Sequence, residues 1–267
     1  MVPDMTKMTD QNYLKDHQYK TAANLQARIA LQQRFSTNPY NWQRWVLDHL
    51  ALRPGMRILE VGCGPASLWK DNLDRLPAGM LGCLGDYSTG MLHDARQALA
   101  DYPQFHFANL DAQRLPFPDA AFDLVIANHM LYHLPDIRLG LGELRRVLRP
   151  GGQFCAATNG EGHMAEVNAL RQKFGSAGAA QFFRIFSLEN GPQQVAEFFA
   201  QVQVVLYEDS LLVTEPGPLR AYVLSMLDAP GETSPQALAD LDAALAQIFA
   251  EQDSFVIHKS SGIILAA

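Results

Sequence analysis

The run Ile58-Leu59-Glu60-Val61-Gly62-Cys63-Gly64-Pro65-Ala66 restricts the fold of this chain more than any other stretch. It reads as a buried strand ending in a carboxylate, then a tight glycine turn, then the start of a helix near Ser67. Glycine turns sharply and lets another group approach the backbone with no Cβ in the way. A dinucleotide fold places the pattern Gly-x-Gly-x-x-Gly at such a turn, with a pyrophosphate on the helix N-terminus. Counting from Gly62, the third glycine position falls on Ser67, so that fingerprint is broken. Glu60, two residues before the first glycine, would also sit poorly beside a phosphate and suits a cationic ligand end.

From Arg57 the chain alternates strand and helix. Strands are predicted at Arg57–Val61, Met80–Gly85, Gln104–Asn109, Phe122–Ala127 and Gln153–Ala157, with helices near Ser67–Leu76, Met91–Ala100 and Ile137–Leu148. In the last of these, Ile137, Leu141, Leu144 and Leu148 are spaced as a helix face on a sheet, and Pro150-Gly151-Gly152 ends it. The alternation predicts a parallel sheet covered on both faces. Beyond Ala157 the rhythm changes. Asn159 to Pro192 reads as helical, followed by a strand near Val202–Tyr207, helices across Pro218–Leu227 and Pro235–Ala250, and a final strand near Phe255–Ile264. Ahead of the sheet, Gln18–Arg34 and Asn41–Leu50 read as two helices, the second with Trp42 and Trp45 on one face.

Composition excludes some functions. A net charge of −7 argues against a protein built around nucleic-acid phosphates. Cys63, Cys83 and Cys155 have no Cys-x-x-Cys spacing and cannot all pair; Cys83 and Cys155 fall within predicted strands and read as small buried thiols, which fits a reducing cytoplasm. The opening Met1-Val2-Pro3-Asp4-Met5 has no cationic-then-apolar pattern, and no apolar run approaches membrane-spanning length. No His/Asp/Glu cluster has convincing metal-ligand spacing, so a metal-assisted reaction is the weaker expectation.

Three further elements follow predicted strands. In Leu84-Gly85-Asp86-Tyr87-Ser88, Asp86 lies 26 residues after Glu60, close to where a ribose-binding acid belongs; a helix cap is the alternative. Asn109-Leu110-Asp111-Ala112-Gln113 follows the third strand, and Ala127-Asn128-His129-Met130-Leu131-Tyr132-His133 follows the fourth. With the glycine turn, these elements resemble the class I methyltransferases that use S-adenosylmethionine (SAM), in particular those related to the ubiquinone/menaquinone C-methyltransferases. The resemblance covers about Arg57 to Ala157 and departs at Ala66, where many members keep a third glycine.

The resemblance implies a Rossmann-like α/β fold: a seven-stranded, mostly parallel sheet with one antiparallel strand, supplied by Phe255–Ile264, and helices on both faces. It implies SAM as cofactor. Glu60 would accept hydrogen bonds from the ammonium, beneath the turn of Gly62 and Gly64. Asp86 would accept the ribose hydroxyls and Tyr87 would cover the adenine. Asp111 and the Ala112 N–H would meet the adenine edge, and Asn128 would stand beside the transferable methyl. Transfer is an in-line displacement on a small-molecule acceptor, in which alignment supplies much of the rate. If the acceptor must lose a proton, His133 and then His129 are the candidate bases, with helix capping or space filling as their alternatives. Residues 1–50 are expected to form a helical lid carrying Tyr13, Tyr19 and Trp42, ahead of a methyltransferase domain at 51–267. A helical cap at 159–200 brings Phe182, Phe183 and Phe186 to the acceptor, unless these are plain core, the commoner use of such residues. The alternatives are a nucleotide-dependent oxidoreductase and a SAM-binding protein without catalysis.

Overall fold

The computed structural model describes residues 22–173, 185–225 and 234–267. Five strands run parallel in succession: β1 (Arg57–Val61), β2 (Leu81–Asp86), β3 (Phe105–Asn109), β4 (Phe122–Ile126) and β5 (Leu148–Asn159). Two more strands, β6 (Gln203–Tyr207) and β9 (Ser261–Ala266), complete a seven-stranded sheet of order β3-β2-β1-β4-β5-β9-β6. Only β9 is antiparallel to its neighbours, pairing Cys155 with Leu265 on one side and Val205 with Ile263 on the other. The expected Rossmann-like sheet with one reversed strand is the sheet observed.

Side chains alternate between the two faces, as the pleat requires. In β1, Leu59 and Val61 join the core beneath α5 (Ile137–Val147), whereas Ile58 joins the opposite core with Trp69. That opposite core is covered by α2 (Trp42–Asp48), α3 (Ser67–Lys70) and α4 (Thr89–Ala98). Helix α5 starts where Asp136 accepts hydrogen bonds from the N–H groups of Arg138 and Leu139, and it buries Leu141, Leu144 and Val147.

Several expected boundaries move. The helix expected over Ser67–Leu76 is only the short α3, followed by a 3₁₀ turn at Leu73–Arg75. Strand β5 begins at Leu148, so Pro150-Gly151-Gly152 lies inside the strand rather than ahead of it, at an irregularity where Gly151 has φ 71°. The single strand expected at Phe255–Ile264 is two. β8 (Phe255–His258) pairs with β7 (Ser210–Val213) in a separate two-stranded sheet, and only β9 enters the main one. The intervening residues Lys259 and Ser260 turn the chain from one sheet to the other.

A third core lies outside the main sheet. It joins α1 (Ala22–Phe35), α6 (Ala165–Lys173), α8 (Pro216–Ser225), α9 (Pro235–Glu251), β7 and β8 through Leu31, Val167, Leu211, Val223, Leu241 and Ile257. The described part of the first 50 residues, from Ala22 on, therefore does not pack as one body. Helix α1 shares this third core, while α2 buries Val46 and Leu47 in the core that holds Ile58 and Trp69. Side chains also brace α2: Asn72 donates to the Gln43 carbonyl at 3.0 Å, and Gln153 donates to the His49 carbonyl at 3.1 Å. The third core thus draws on elements from both ends of the described chain. Among the described residues no helix is long and apolar enough to cross a membrane.

Candidate functional site

The carboxyl ends of β1 to β4 converge beside the point where the strand order reverses, between β1 and β4, which is where open α/β sheets bind ligands. The turn after β1 is left-handed at three alternate residues: Gly62 (φ 70°), Gly64 (φ 54°) and Ala66 (φ 59°). Position 66 thus keeps the conformation of a glycine although it carries a Cβ, at a local cost of about 1–2 kcal/mol. The two glycines do different work. A Cβ on Gly62 would lie 2.6 Å from Cβ of Met130, so Gly62 makes room for the neighbouring loop. A Cβ on Gly64 would meet nothing within 4 Å, so the free space of the turn lies there.

Asp86 ends β2 and ties this turn to the next one. Its Oδ2 accepts from Gly64 N at 2.9 Å and its Oδ1 from Ser88 N at 2.8 Å. It does not cap α4; Ser88 does, accepting from Met91 N. Burial pushes the Asp86 carboxyl above its usual range, against those backbone donors. Tyr87 is exposed, with its carbonyl held by Asn109 Nδ2 at 2.8 Å. Asp111 forms a local turn through Gln113 N at 2.9 Å, and Ala112 is buried beside it.

Glu60 is almost fully buried, at 2% exposure. Its Oε2 accepts from Trp69 Nε1 at 2.6 Å and its Oε1 from Asn128 Nδ2 at 3.4 Å. Burial raises its pKa to about 8, more than these donors lower it. Asn128 Oδ1 is buried with no hydrogen-bond partner. A buried acceptor without a donor costs free energy, and here it stands next to a carboxyl that meets no cation among the described residues. A ligand ammonium meets both needs, so the residues present fit the aminoacyl end of SAM. Trp69 was not singled out in the sequence. Its only signal there is an aromatic residue in the first turn of the helix after the glycine turn.

The two histidines differ. His129 adopts φ 52°, donates its backbone N–H to the Ala157 carbonyl at 2.9 Å, and sets its ring 5.6 Å from Trp42. Burial, with a smaller contribution from Lys259, lowers its pKa to about 4. His129 is thus neutral at physiological pH and weakly basic, a poor proton acceptor. His133 closes the 3₁₀ turn Leu131–His133 and packs edge-on against Tyr132 at 4.6 Å. Trp42 stacks on Trp45 at 5.3 Å and meets Tyr207 at 5.1 Å, so it forms a wall beside His129.

Phe186 does not reach this wall. It is fully buried in the core under α5, against Ile264 and Gly191, so it is a packing residue and the expectation of an acceptor contact is corrected. Tyr13, Tyr19, Phe182 and Phe183 lie outside the described residues. Sequence reasoning also missed a buried ion pair, Lys259 Nζ to Asp209 Oδ2 at 2.5 Å. Asp209 additionally accepts from Ser36 Oγ at 2.8 Å and Asn38 N at 3.1 Å, and Lys259 donates to Gln32 Oε1 at 3.1 Å. The group fastens the link between α1 and α2 to the turns beside β7 and β9. No spacing rule connects residues so far apart in the chain.

Residues 59–156 match the family model described as a methyltransferase domain. A demethylmenaquinone methyltransferase of Lysinibacillus sphaericus is 33% identical over 135 residues, covering 50% of this chain and 56% of that protein. A malonyl-[acyl-carrier protein] O-methyltransferase of Geobacter sulfurreducens is 31% identical over 162 residues, covering 61% of this chain and 58% of that protein. The chain spans about half the length of the curated relatives it matches. Among solved structures, phosphoethanolamine N-methyltransferase 2 of Haemonchus contortus, in complex with SAM, superposes with a TM-score of 0.61 at 18% identity, covering 96% of this chain and 59% of that one. The glycine turn, Glu60, Asp86, Asp111 and Asn128 all fall within residues 59–156, the part of the chain that is similar to a methyltransferase domain.

Proposed function

We propose that this chain transfers a methyl group from SAM to a small, partly apolar acceptor by in-line displacement. The observation that carries the reading is the pairing of a buried Glu60, which meets no cation among the described residues, with the orphaned acceptor Asn128 Oδ1, at the foot of a turn that is open at Gly64. Bound SAM supplies a methyl carbon already activated by a cationic sulfur. Glu60 and Asn128 hold the ammonium. Asp86 keeps its lone pairs beyond the two backbone donors for a ribose diol, and the Asp111 turn presents the adenine edge. The wall of Trp42 and Tyr207, with neutral His129 at its edge, keeps the acceptor side apolar and excludes water. Alignment rather than proton removal then carries the rate. His133 is the remaining candidate where an acceptor must lose a proton.

The test is calorimetry with SAM, its demethylated product S-adenosylhomocysteine (SAH), and NAD(H). Binding of both sulfur ligands is expected, with none of the dinucleotide; tight NAD(H) binding without SAM binding sinks the reading.

The cover over this site is, in the same reading, the cap with α1 built into it, while α2 belongs to the floor. Covers that must open are drawn from less stable parts of a fold. Adding SAH is therefore expected to slow hydrogen exchange across α1, α6 and α8 and to leave α2 and β1 unchanged. Equal slowing in α2, or exchange in α1 already as slow as in β1 without ligand, argues for a fixed brace.

A further inference from the structure

We propose that Glu143 and Arg146, on α5 and outside the cofactor-binding turns, are positioning residues that set affinity for the purine of the cofactor; the proposal rests on the SAM reading above. A guanidinium has five N–H donors, and Arg146 uses five contacts. Nε and Nη2 reach the two carboxylate oxygens of Glu143 at 2.6 and 2.8 Å. Nη1 reaches the Phe117 carbonyl at 2.7 Å and Asp119 Oδ1 at 2.9 Å, and Nη2 reaches the Leu115 carbonyl at 3.0 Å. Glu143 Oε2 accepts in addition from Leu115 N at 2.8 Å, and the Arg146 carbonyl accepts from Ala120 N at 2.9 Å.

One helical turn of α5 thus holds the connection from β3 to β4 at Leu115, Phe117, Asp119 and Ala120. The same connection begins with the turn at Asp111 and Ala112, which faces the adenine edge in the SAM reading. That turn is fastened to the other end of α5: Gln113 Oε1 accepts from the backbone N–H of Asp136, the residue that caps the helix. The Arg146 guanidinium, bidentate on Glu143, holds its carboxyl below the usual range and keeps it an acceptor at any physiological pH. Among the described residues the adenine turn carries only the local bridge Asp111–Arg114, so its position is referred to α5 through these side chains. Leu115 is buried in the core and Phe117 packs on Phe122 at 5.0 Å, so apolar contacts keep the loop attached when the polar clamp is removed.

The experiment compares two ligands that differ only by the purine. SAH and S-ribosylhomocysteine are titrated into the wild type, Arg146→Gln, Arg146→Lys and Glu143→Gln. Arg146→Gln is expected to lose about tenfold or more in SAH affinity while S-ribosylhomocysteine stays within about twofold, since several charge-assisted bonds to the loop are lost. Arg146→Lys is expected to recover only a minor part, because an ammonium cannot fork to a carboxylate and two carbonyls. Glu143→Gln is expected to show the same purine-selective loss, and it carries the test should Arg146→Gln fail to fold. Parallel loss for both ligands, unchanged SAH affinity, or full rescue by lysine overturns the clamp alone. A wild type that binds no SAH overturns the clamp together with the SAM reading.

Discussion

Glu60→Gln is expected to leave the ligand-free fold at least as stable as the wild type near pH 8 and to cost most of the cofactor affinity. The folded carboxyl has a pKa of about 8 because it is buried, whereas an unfolded glutamate titrates near 4.3. Between those values the folded state holds a proton that the unfolded state has released. Stability from this group is therefore fully present below about pH 4.3 and falls as pH rises toward 8. Glutamine at position 60 cannot ionise, so that component of the pH dependence disappears. The isosteric amide still accepts from Trp69.

Ligand binding reverses the preference. An ammonium beside Glu60 favours the carboxylate, so at pH 7 the wild type is expected to release close to one proton per cofactor bound, and affinity should tighten as pH rises toward 8. Glu60→Gln should release none. The loss of a charged hydrogen bond at a buried site amounts to about 1.5–3 kcal/mol, or roughly 10- to 150-fold in affinity. Calorimetry of SAH binding in two buffers of different ionisation heat reads the proton count directly. Proton-neutral binding by the wild type would remove Glu60 from the ammonium site.

Gly62→Ala is expected to be far more damaging than Gly64→Ala, though both residues are left-handed. At Gly62 the new methyl would sit 2.6 Å from Cβ and 2.7 Å from Cγ of Met130. Overpacking costs about 1–3 kcal/mol, and the left-handed backbone adds about 1–2 kcal/mol. A loss of roughly 2–5 kcal/mol follows from the two together, enough to unfold a marginal domain. At Gly64 only the backbone term applies, and Ala66 shows that this turn tolerates it. Denaturant melts should separate the two variants by at least about 1 kcal/mol. Met130→Ala should not rescue Gly62→Ala, because the Cβ contact remains; Met130→Gly should rescue part. Equal stability of the two glycine variants would show that the Met130 loop yields freely.

The features legible in the sequence were those written in neighbouring residues. Apolar runs at Arg57–Val61 and Phe122–Ile126, the glycine turn, and the acids Glu60, Asp86 and Asp111 at or just beyond strand ends are all local, and the strands and the turn sit where expected. Features set by long-range pairing were not legible. Phe255 to Ile264 carries apolar residues on both sides of Lys259, and nothing local says that its two halves enter different sheets. Ser210–Val213 is four residues long, too short for periodicity to speak. Phe186 carried the composition of a pocket residue and the burial of a core residue, and only the position of Ile264 decides between them. The buried pair of Asp209 and Lys259 depends on two turns that the sheets bring together.

The place of β9 in the sheet has a consequence for the order of assembly. Strand β6 touches the main sheet only through β9, which lies between it and β5. During synthesis β6 therefore emerges with no edge to join, and it must wait until residues 261–266 have left the ribosome. The half-sheet β3-β2-β1-β4-β5 can form first, with the hydrogen-bonding edge of β5 open in the meantime. Its closing step is the threading of one strand between two others, a contact of long sequence separation and correspondingly slow. A nascent chain stopped before Ser261 should accordingly present two unsatisfied strand edges and call on chaperones, although every residue of its cofactor site has already been made.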